Sequence, residues 1–282
     1  LVESHSGRPT KIEGNPGHPA SLGAADALTQ ASVLTLYDPD RLSTVLRYGE
    51  ISTWAEFSQE FTKVVAAARL NKGAGLRILS ETVTSPTLGA VIKKFLQDFP
   101  EARWHQWEPA GAHSSRAGAL LAFGAPVNTF YKVENADVIL TLDSDFLTAG
   151  PGNVRYAREF AQRRRVYDGK KLNRLYSVES SPTNTGTKAD HRWPMRAAEI
   201  QNFAAALAKD LGVDVGSLGG GAFNGVPDAA RKALVEELQA HKGTSLVVAG
   251  EYQSPQVHAL AHAINTALGN VGSTVMFTDS IE

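Results

Sequence analysis

The sequence predicts an α/β fold: a mostly parallel, doubly wound (Rossmann-like) sheet with helices on both faces. From residue 51 onward, short apolar segments alternate with longer amphipathic ones, and the clearest apolar segment is Val138-Ile139-Leu140-Thr141-Leu142. Strands separated by helices of this length form βαβ units. Because such crossovers are right-handed, the helices are expected on both faces of the sheet.

Several elements have recognisable beginnings. Residues 1–46 are rich in Gly and Pro, which predicts a loop-rich arm with one short helix near residues 26–36. Thr53 and Glu56 have the spacing of a capping box. Ser85-Pro86 combines an N-cap residue with a proline at the first helical position, and Ser254-Pro255 repeats that pattern.

The remaining elements follow from apolar periodicity. The predicted helices cover residues 53–68, 85–96, 153–165, 197–211, 227–240 and 255–268. The predicted strands cover residues 76–79, 102–107, 138–142, 175–178, 246–249 and 274–277. Residues 216–225 are glycine-rich and predict a flexible loop. Ligands of doubly wound sheets bind beyond the carboxyl ends of the strands, so the loops after these strands are the places to look for a site.

The composition is that of a globular protein and excludes several functions. The 282 residues give room for one large or two small domains. Twenty-eight basic and 29 acidic residues give a net charge of −1, so we expect no nucleic-acid partner. The sequence has no cysteine, which excludes disulfides, zinc–thiolate sites and thiolate-bound iron–sulfur clusters from these residues. No apolar run approaches the ~20 residues of a membrane-spanning helix, so we expect no direct membrane span.

A series of turns in the first forty residues is recognisable. It begins with Gly7-Arg8-Pro9-Thr10-Lys11-Ile12-Glu13-Gly14-Asn15-Pro16-Gly17-His18-Pro19, passes through Gly23 and Gln30, and ends with Leu36-Tyr37-Asp38-Pro39-Asp40-Arg41. This series resembles the N-terminal region of the molybdopterin oxidoreductase (dimethyl-sulfoxide-reductase type) superfamily. There, a Gly-x-x-Cys-x-x-Gly-Gln stretch ends the ligand set of an iron–sulfur cluster. The resemblance places Asp26 at the position of that cysteine, so the cluster-ligand position is lost.

A second segment with the same resemblance follows the predicted strand 175–178. The positions that match the superfamily's Asp-Pro-Arg-x-Ser-x-Thr-Ala-x-x-Ala-Asp pattern are Glu179 (for the first Asp), Thr183, Thr185, Ala189 and Asp190. Ser180-Ser181 replaces Pro-Arg. The superfamily then has an Arg-Pro-Gly-Thr turn that approaches the pterin dinucleotide, where this chain has Arg196-Ala197-Ala198-Glu199. Without the glycine a close backbone approach is blocked, and Glu199 adds a negative charge where phosphates would lie.

The loop after Leu142 offers another interpretation, a nucleotide site. Gly150-Pro151-Gly152 precedes a helix, and the N-terminal N–H groups of a helix bind phosphate. Asp143 and Asp145 would repel a pyrophosphate, however, and the Gly-x-Gly-x-x-Gly pattern is missing. The plainer interpretation is a connection with two carboxylates near the strand end. A functional site here would need a basic, concave pocket near this loop, Lys188 and Arg196.

Candidate metal ligands are few. By resemblance, Gly118-Ala119-Leu120-Leu121-Ala122-Phe123-Gly124 places the molybdenum-ligand position shortly before it, where Ser114 or Ser115 would offer an oxygen. His258 and His262 are spaced i, i+4 on one helix face and could share a metal ion. With no third ligand at motif spacing, two histidines without such a function are the plainer interpretation.

Other conspicuous residues are interpreted structurally. His105, between Trp104 and Trp107, is expected to pack rather than to catalyse. Arg163-Arg164-Arg165 is expected to be a solvated run that complements a helix dipole, with docking of an acidic partner as the alternative. Trp104, Trp107 and Phe130 are expected on an apolar surface that is exposed without its usual neighbours.

The segment 245–272 resembles the superfamily's returning strand–helix element, so the resemblance extends over almost the whole chain. A retained scaffold with altered cofactor positions is similar to the N-terminal, molybdopterin-like part of the large iron–sulfur subunit of alternative complex III, a bacterial membrane-bound quinol-oxidising complex. This resemblance implies two lobes like the domains of formate dehydrogenase and DMSO reductase. One lobe is residues 47–115 with 244–282, the other is 116–243, and residues 1–46 are an arm across them.

The resemblance also implies a function. The chain would be a non-catalytic scaffold without a cofactor or metal of its own, with iron–sulfur clusters in the full-length chain beyond residue 282. Its partners would be a C-terminal ferredoxin-like module of the same chain and other subunits of a respiratory complex. An extended twin-arginine (Tat) signal would place it at the periplasmic side of the membrane. The alternative is an active or nucleotide-binding oxidoreductase domain. The vestigial cleft is predicted at Gly150, Gly152, Glu179, Thr185, Asp190 and Arg196.

Overall fold

The computed structural model describes residues 1–109, 111, 113–165, 171–218 and 221–280, which fall into two units. The larger unit is built from Leu1–Gln30 and Ala112–Ser280, and the smaller from Ala31–Gly111. The strands are β1 (Val2–His5), β2 (Arg8–Ile12), β3 (Leu46–Arg47), β4 (Glu50–Ile51), β5 (Arg77–Ser80), β6 (Arg103–Gln106), β7 (Val127–Tyr131), β8 (Val138–Leu142), β9 (Arg174–Glu179), β10 (His191–Pro194), β11 (Ser245–Ala249) and β12 (Val275–Asp279). The α-helices are α1 (Ala27–Ala31), α2 (Trp54–Leu70), α3 (Pro86–Asp98), α4 (His113–Phe123), α5 (Asn153–Arg163), α6 (Asn184–Lys188), α7 (Ala197–Asp210), α8 (Asp228–Ala240) and α9 (Pro255–Ala267).

A four-stranded parallel sheet forms the centre of the larger unit, in the order β10-β9-β8-β11. All five residues of β8 are buried. On one face Val138, Leu140 and Leu142 pack against α7, α8 and α9. On the other, Ile139 joins a second apolar cluster that includes residues of α5 and β12. The predicted α/β fold, with a parallel sheet and helices on both faces, is confirmed.

The last two strands differ from the predicted domain division. The division groups 244–282 with 47–115, but β11 is hydrogen-bonded to β8, so this segment lies in the larger unit. The segment belongs to the larger unit because the β11 residues Leu246, Val247 and Val248 are buried in the apolar clusters on the two faces of its sheet. β12 pairs antiparallel with β7 in a separate two-stranded sheet.

The outer edge of β11 is closed by a side chain. Asn265 on α9 accepts a hydrogen bond from the backbone N–H of Val247 (3.0 Å) and donates one to the carbonyl of the same residue (2.8 Å). The amide of Asn265 thus replaces a neighbouring strand. The Asn270 amide donates to Asn265 (2.9 Å), and Ser245 donates to Asn270 (3.1 Å), so this buried polar network is connected throughout.

The local signals for helix beginnings give mixed results. Thr53 accepts a hydrogen bond from the N–H of Glu56 at 3.2 Å, and Ser85 accepts one from the N–H of Leu88 at 3.3 Å, which confirms both predicted caps. The hydroxyl of Ser254 instead donates to Gln201 on α7 at 2.8 Å. Here a tertiary contact takes the place of the local cap. Of the predicted glycine-rich loop 216–225, residues 219 and 220 lie outside the described residues, and Gly216–Leu218 forms a 3-10 turn.

The smaller unit contains a parallel pair, β5–β6, an antiparallel pair, β3–β4, and the helices α2 and α3. None of the residues of α2 is buried, and its Trp54, Phe57 and Phe61 form a continuous aromatic series. Trp107 is 62% exposed, as predicted. Trp104 is half-buried and donates to Ser80 at 2.9 Å, while the expected packing of His105 is wrong, because its side chain is exposed.

Some elements do not follow from the local signals used above, namely the β1–β2 hairpin, α4, β7 and β10. Phe130 was expected on an exposed surface. It lies on β7 and is half-buried under the guanidinium of Arg155, which is 4.7 Å from the centre of its ring.

Within the described residues, no helix combines the length and the apolar character that crossing a membrane requires.

Candidate functional site at the carboxyl end of the sheet

The carboxyl end of the four-stranded sheet contains a topological switch point. The chain runs from β8 outward to β9 and β10 on one side, then returns to place β11 on the other side of β8. Ligands of doubly wound sheets bind at such a reversal. Here the reversal lies between Asp143, which follows β8, and Gly250, which follows β11. The two backbones touch, because a Cβ on Gly250 would overlap the carbonyl oxygen of Asp143.

The carboxylate of Asp143 occupies this switch point. It accepts hydrogen bonds from the backbone N–H of Ser180 (2.7 Å), the hydroxyl of Ser180 (3.0 Å) and the amide of Gln253 (2.8 Å). The backbone of Asp143 has φ of 58°, a left-handed conformation that Asp tolerates better than most residues. The superfamily segment that this loop resembles has a proline at the position of Ser180. A proline has no N–H and could not donate this hydrogen bond to Asp143.

Asp145 occupies a second set of donors at the same edge. Its Oδ1 accepts from the backbone N–H of Thr185 at 2.9 Å and from the Thr185 hydroxyl at 2.7 Å. The Thr185 hydroxyl also accepts from the N–H of Leu147 at 3.3 Å. Thr185 is completely buried by these contacts. The N-terminus of α6 is thus occupied by a carboxylate of the chain itself.

Glu179, at the end of β9, is 1% exposed and engaged by two side chains. The Thr183 hydroxyl donates to it at 2.6 Å, and the Arg192 guanidinium forms an ion pair with it. Gly186 packs directly on this carboxylate, and a Cβ there would overlap it. An arginine that would otherwise be available to an anion is therefore neutralised within the sheet.

The other predicted positions at this edge are more open. Arg196 is the N-cap residue of α7, and its side chain is 87% exposed and forms a distant (3.9 Å) ion pair with Glu199. Glu199 accepts a hydrogen bond from the N–H of Asn224 at 3.0 Å. Gly150 faces open space, whereas Gly152 lies against the ring of Tyr156. Both glycines have positive φ, which the loop before α5 requires.

The structure separates Asp190 from the rest of the predicted set. Asp190 precedes β10 and accepts from the N–H of Leu175 at the amino end of the sheet (2.8 Å). Arg164 forms a bidentate pair with it, at 3.0 and 2.5 Å. Burial opposes ionisation of Asp190, but these hydrogen bonds outweigh the effect of burial and lower the pKa of Asp190.

The expectation of a solvated Arg163-Arg164-Arg165 run is wrong for its first two members. Arg164 is half-buried and paired with Asp190, and Arg163 is half-buried and paired with Asp137.

The described residues of this edge do not fit a pyrophosphate, the group through which a pterin dinucleotide would be held. Such a site needs free N–H donors and uncompensated positive charge. Here the N–H groups of Ser180 and Thr185 already donate to Asp143 and Asp145, and Arg192 is paired with Glu179. The carboxylates outnumber the available cations, so a dianion would meet repulsion.

Asp26, at the lost cluster-ligand position, has a structural role. Its carboxylate accepts from the N–H of Thr29 at 2.8 Å and from the Thr29 hydroxyl at 2.7 Å, just before the first residue of α1. These hydrogen bonds lower the pKa of Asp26. This arrangement is a helix N-cap, which an oxygen-bearing side chain provides and a thiol does not.

The candidate oxygen ligands Ser114 and Ser115 lie at the start of α4, and the neighbouring Ala112 is outside the described residues. The Ser115 hydroxyl is hydrogen-bonded to the carboxylate of Glu251, whose pKa is raised by burial. Gly118 of the following motif serves helix packing: a Cβ there would lie only 2.8 Å from the carbonyl oxygen of Pro255 and would overlap His258. The glycine therefore lets α4 approach α9 closely.

His258 and His262 are both buried between these helices. Burial lowers the pKa of each to about 4, so both are neutral at physiological pH. His262 lies in an aromatic cluster, 5.0 Å from Phe123 and 5.6 Å from Phe277 between ring centres. No group of three or more potential metal ligands occurs within the described residues. Both histidines thus contribute to the packing of α9 against α4.

Sequence reasoning did not single out Ser180 and Gln253 as the donors that hold Asp143. A signal was available for Ser180, because replacing Pro restores an N–H beside the strand end. Gln253 comes from the loop after β11, and its role depends on the strand order. That order is not visible in any local pattern.

Comparisons with known proteins agree with this fold. No family model matches the chain. Over 233 residues it is 24% identical to the "Menaquinone reductase, molybdopterin-binding-like subunit" of Nitratidesulfovibrio vulgaris (strain Hildenborough), a match that covers 79% of this chain and 31% of that protein. Its structure is similar to that of acetylene hydratase from Pelobacter acetylenicus, with a TM-score of 0.60 at 13% identity, covering 92% of this chain and 40% of the hydratase chain.

The structural similarity shows a molybdopterin-enzyme fold, and the sequence similarity supports a molybdopterin-oxidoreductase-like relationship. The chain spans well under half the length of either relative.

Proposed function

We propose that this chain is a non-catalytic, molybdopterin-oxidoreductase-like scaffold domain of a larger electron-transfer subunit in a quinone-linked respiratory complex. The observation that carries the proposal is the occupation of the N–H donors at the switch point by Asp143 and Asp145. A pterin dinucleotide would have to displace both carboxylates and then bind beside them. The role of Asp26 as a helix cap supports the absence of a cluster in this segment.

The finer assignment is to the iron–sulfur subunit of an alternative complex III-like, quinol-oxidising assembly. In this assignment the iron–sulfur clusters lie in a ferredoxin-like module beyond residue 282, and the segment described above supports that module. The subunit is exported through a Tat signal and is held at the periplasmic side of the membrane by partner subunits. The similarity to a menaquinone reductase subunit supports a partner complex of this kind.

The test is metal and pterin analysis of the purified full-length protein. Elemental mass spectrometry measures molybdenum, tungsten and iron, and fluorescence of the oxidised pterin measures the organic part. We expect neither molybdenum, tungsten nor pterin, with iron bound only by the part beyond Glu282. Stoichiometric pterin with metal would overturn the proposal and favour the active oxidoreductase, with Arg196 and the Ser114–Ser115 region as its site.

A further inference from the structure

The parallel strand pair β5–β6 in the smaller unit has one face that is open to solvent. Arg77 of β5 is the register partner of Arg103 on β6, and Leu79 is the partner of His105. Because side chains alternate along a strand and register partners point the same way, these four side chains share one face of the pair. All four are exposed. Their face has no covering layer in the part of the chain that the structure describes.

The opposite face of the pair is covered. Its Ile78, Ser80 and Trp104 are half-buried, and the hydrogen bond from Trp104 to Ser80 (2.9 Å) places these two side chains on the same side of the sheet. The helix α3 connects β5 to β6, and a crossover of this kind covers one face of its strands. Parallel sheets are normally covered by helices on both faces. The face of Arg77 and Leu79 therefore lacks a layer that parallel strands usually have.

The open face carries two like charges side by side. Neighbouring strands lie about 5 Å apart, and like charges directly opposite each other destabilise a strand pair. The guanidinium of Arg77 donates to the carbonyl of Leu76 at 2.8 Å, and among the described residues no ion pair involves Arg77 or Arg103. A carboxylate between the two guanidiniums would accept charge-assisted hydrogen bonds from both. This arginine pair is therefore suited to an acidic side chain.

Apolar side chains border the arginine pair. Leu79 is 72% exposed and Trp107 is 62% exposed. Trp107 follows β6 and extends its ladder, because its N–H donates to the carbonyl of Ser80 at 3.0 Å, so its side chain lies on the same open face. Tryptophan and arginine are enriched at the centres of protein–protein contacts. A small anion would leave the apolar side chains exposed, whereas a protein surface covers both kinds of residue.

We propose that the open face of β5–β6 docks an amphipathic helix of a partner subunit, whose apolar stripe contains a carboxylate. The carboxylate pairs with Arg77 and Arg103, and the apolar side chains pack on Leu79 and Trp107. A helix is the element that covers parallel strands, so the partner supplies the missing layer. The proposal does not depend on the scaffold role, because the switch point and its carboxylates belong to the larger unit.

The test measures fluorescence anisotropy of labelled peptides on the purified full-length protein. The first peptide has about twenty residues, enough for a helix in water, with one glutamate in the middle of a leucine stripe. The second has glutamine in place of that glutamate, and the third has the residues of the first in scrambled order. We expect the first to bind about tenfold more tightly than either control, the ratio that corresponds to one charge-assisted contact. A control that binds as tightly as the first peptide, or no binding at about 1 mM, would overturn the proposal.

Four protein variants locate the contact. Arg77→Gln and Arg103→Gln should each weaken the glutamate peptide about tenfold and leave the glutamine peptide unchanged. Arg158→Gln removes the same charge from an exposed position on α5 of the larger unit and should change neither. Trp107→Ala should weaken both peptides by the same factor. Binding of the glutamate peptide that survives Arg77→Gln and Arg103→Gln lies elsewhere and refutes this docking face.

The other occupant that could cover this face is a second copy of the same protein. Sedimentation equilibrium of the full-length subunit, separated from its partners, distinguishes the two. We expect a monomer. A dimer that Arg103→Gln converts to a monomer would refute the partner subunit.

Discussion

Asp143 holds the end of β8, the end of β9 and the loop after β11 together through three hydrogen bonds. Changing this carboxylate to an amide keeps the size and the tolerance for positive φ but replaces one acceptor oxygen with a donor. The NH₂ group would then face a donor of Ser180 or Gln253. We expect Asp143→Asn to lower the free energy of unfolding by about 1–3 kcal/mol, the usual cost of leaving such groups unpaired.

The measurement for Asp143→Asn is urea denaturation followed by circular dichroism. Asp279→Asn is the matched control and should lie within about 0.5 kcal/mol of the wild type, as exposed substitutions usually do. An Asp143→Asn midpoint equal to that of the control would show that the switch point does not depend on this carboxylate.

The buried histidines make stability depend on pH. An unfolded histidine titrates near 6.5, whereas His258 and His262 titrate at about 4 in the folded protein. Between these values the unfolded state binds more protons, so stability is complete above pH 6.5 and falls as the pH drops toward 4. Each histidine contributes about 3 kcal/mol to this loss. Glu159 acts in the opposite direction, because burial and Glu134 raise its folded pKa to about 7, and its contribution is lost as the pH rises from 4.5.

The variant His262→Phe isolates one of these contributions. A phenyl ring suits the cluster of Phe123 and Phe277, and it cannot be protonated. The difference in unfolding free energy between variant and wild type should move by about 3 kcal/mol in favour of the variant from pH 7 to pH 4. The measurement is urea unfolding at a series of pH values. A constant difference across this range would mean that His262 is not buried and neutral.

Among the elements, the pair α4 and α9 depends on Gly118. By helix propensity alone, Gly118→Ala should stabilise α4 by up to about 1 kcal/mol. The new methyl group would overlap His258 and lie 2.8 Å from the Pro255 carbonyl, and overpacking of this kind costs about 1–3 kcal/mol. We expect the cost of overpacking to exceed the gain in helix propensity, so the melting temperature should fall. Calorimetry of Gly118→Ala beside Gly89→Ala, a helical glycine with open space around it, checks this, and a stabilised Gly118→Ala would refute the close approach.

Local chemistry decides which elements the sequence predicts. β8 is wholly apolar and α2 has its capping pair, so both were predictable from short windows. β10 reads His191-Arg192-Trp193-Pro194 and becomes a strand only because β9 lies beside it. α4 lacks an obvious cap and contains a glycine that only its packing against α9 explains. In the site, the loop positions were predictable, but their hydrogen-bond partners depended on strand order.

At the scale of the whole molecule, the two units differ in how much they bury. β8, β9 and β11 lie in two apolar clusters, while α2 has no buried residue. Amide protons exchange through local openings whose free energy follows the burial of the element. We expect the amides of β8 to be protected on the order of a hundredfold or more above those of α2. Hydrogen exchange with mass spectrometry on the isolated chain measures both, and equal protection would contradict the exposure of α2.

Because the carboxylates at the switch point belong to the chain, the stability of this edge does not depend on the concentration of a ligand. The stabilisation that a bound anion gives a protein grows with the logarithm of its concentration relative to its dissociation constant and vanishes when the anion is removed. Asp143 and Asp145 are covalent parts of the chain, so they cannot be diluted or dialysed away and need not be synthesised separately. This edge of the sheet is therefore complete as soon as the polypeptide is, whatever the supply of small molecules around it.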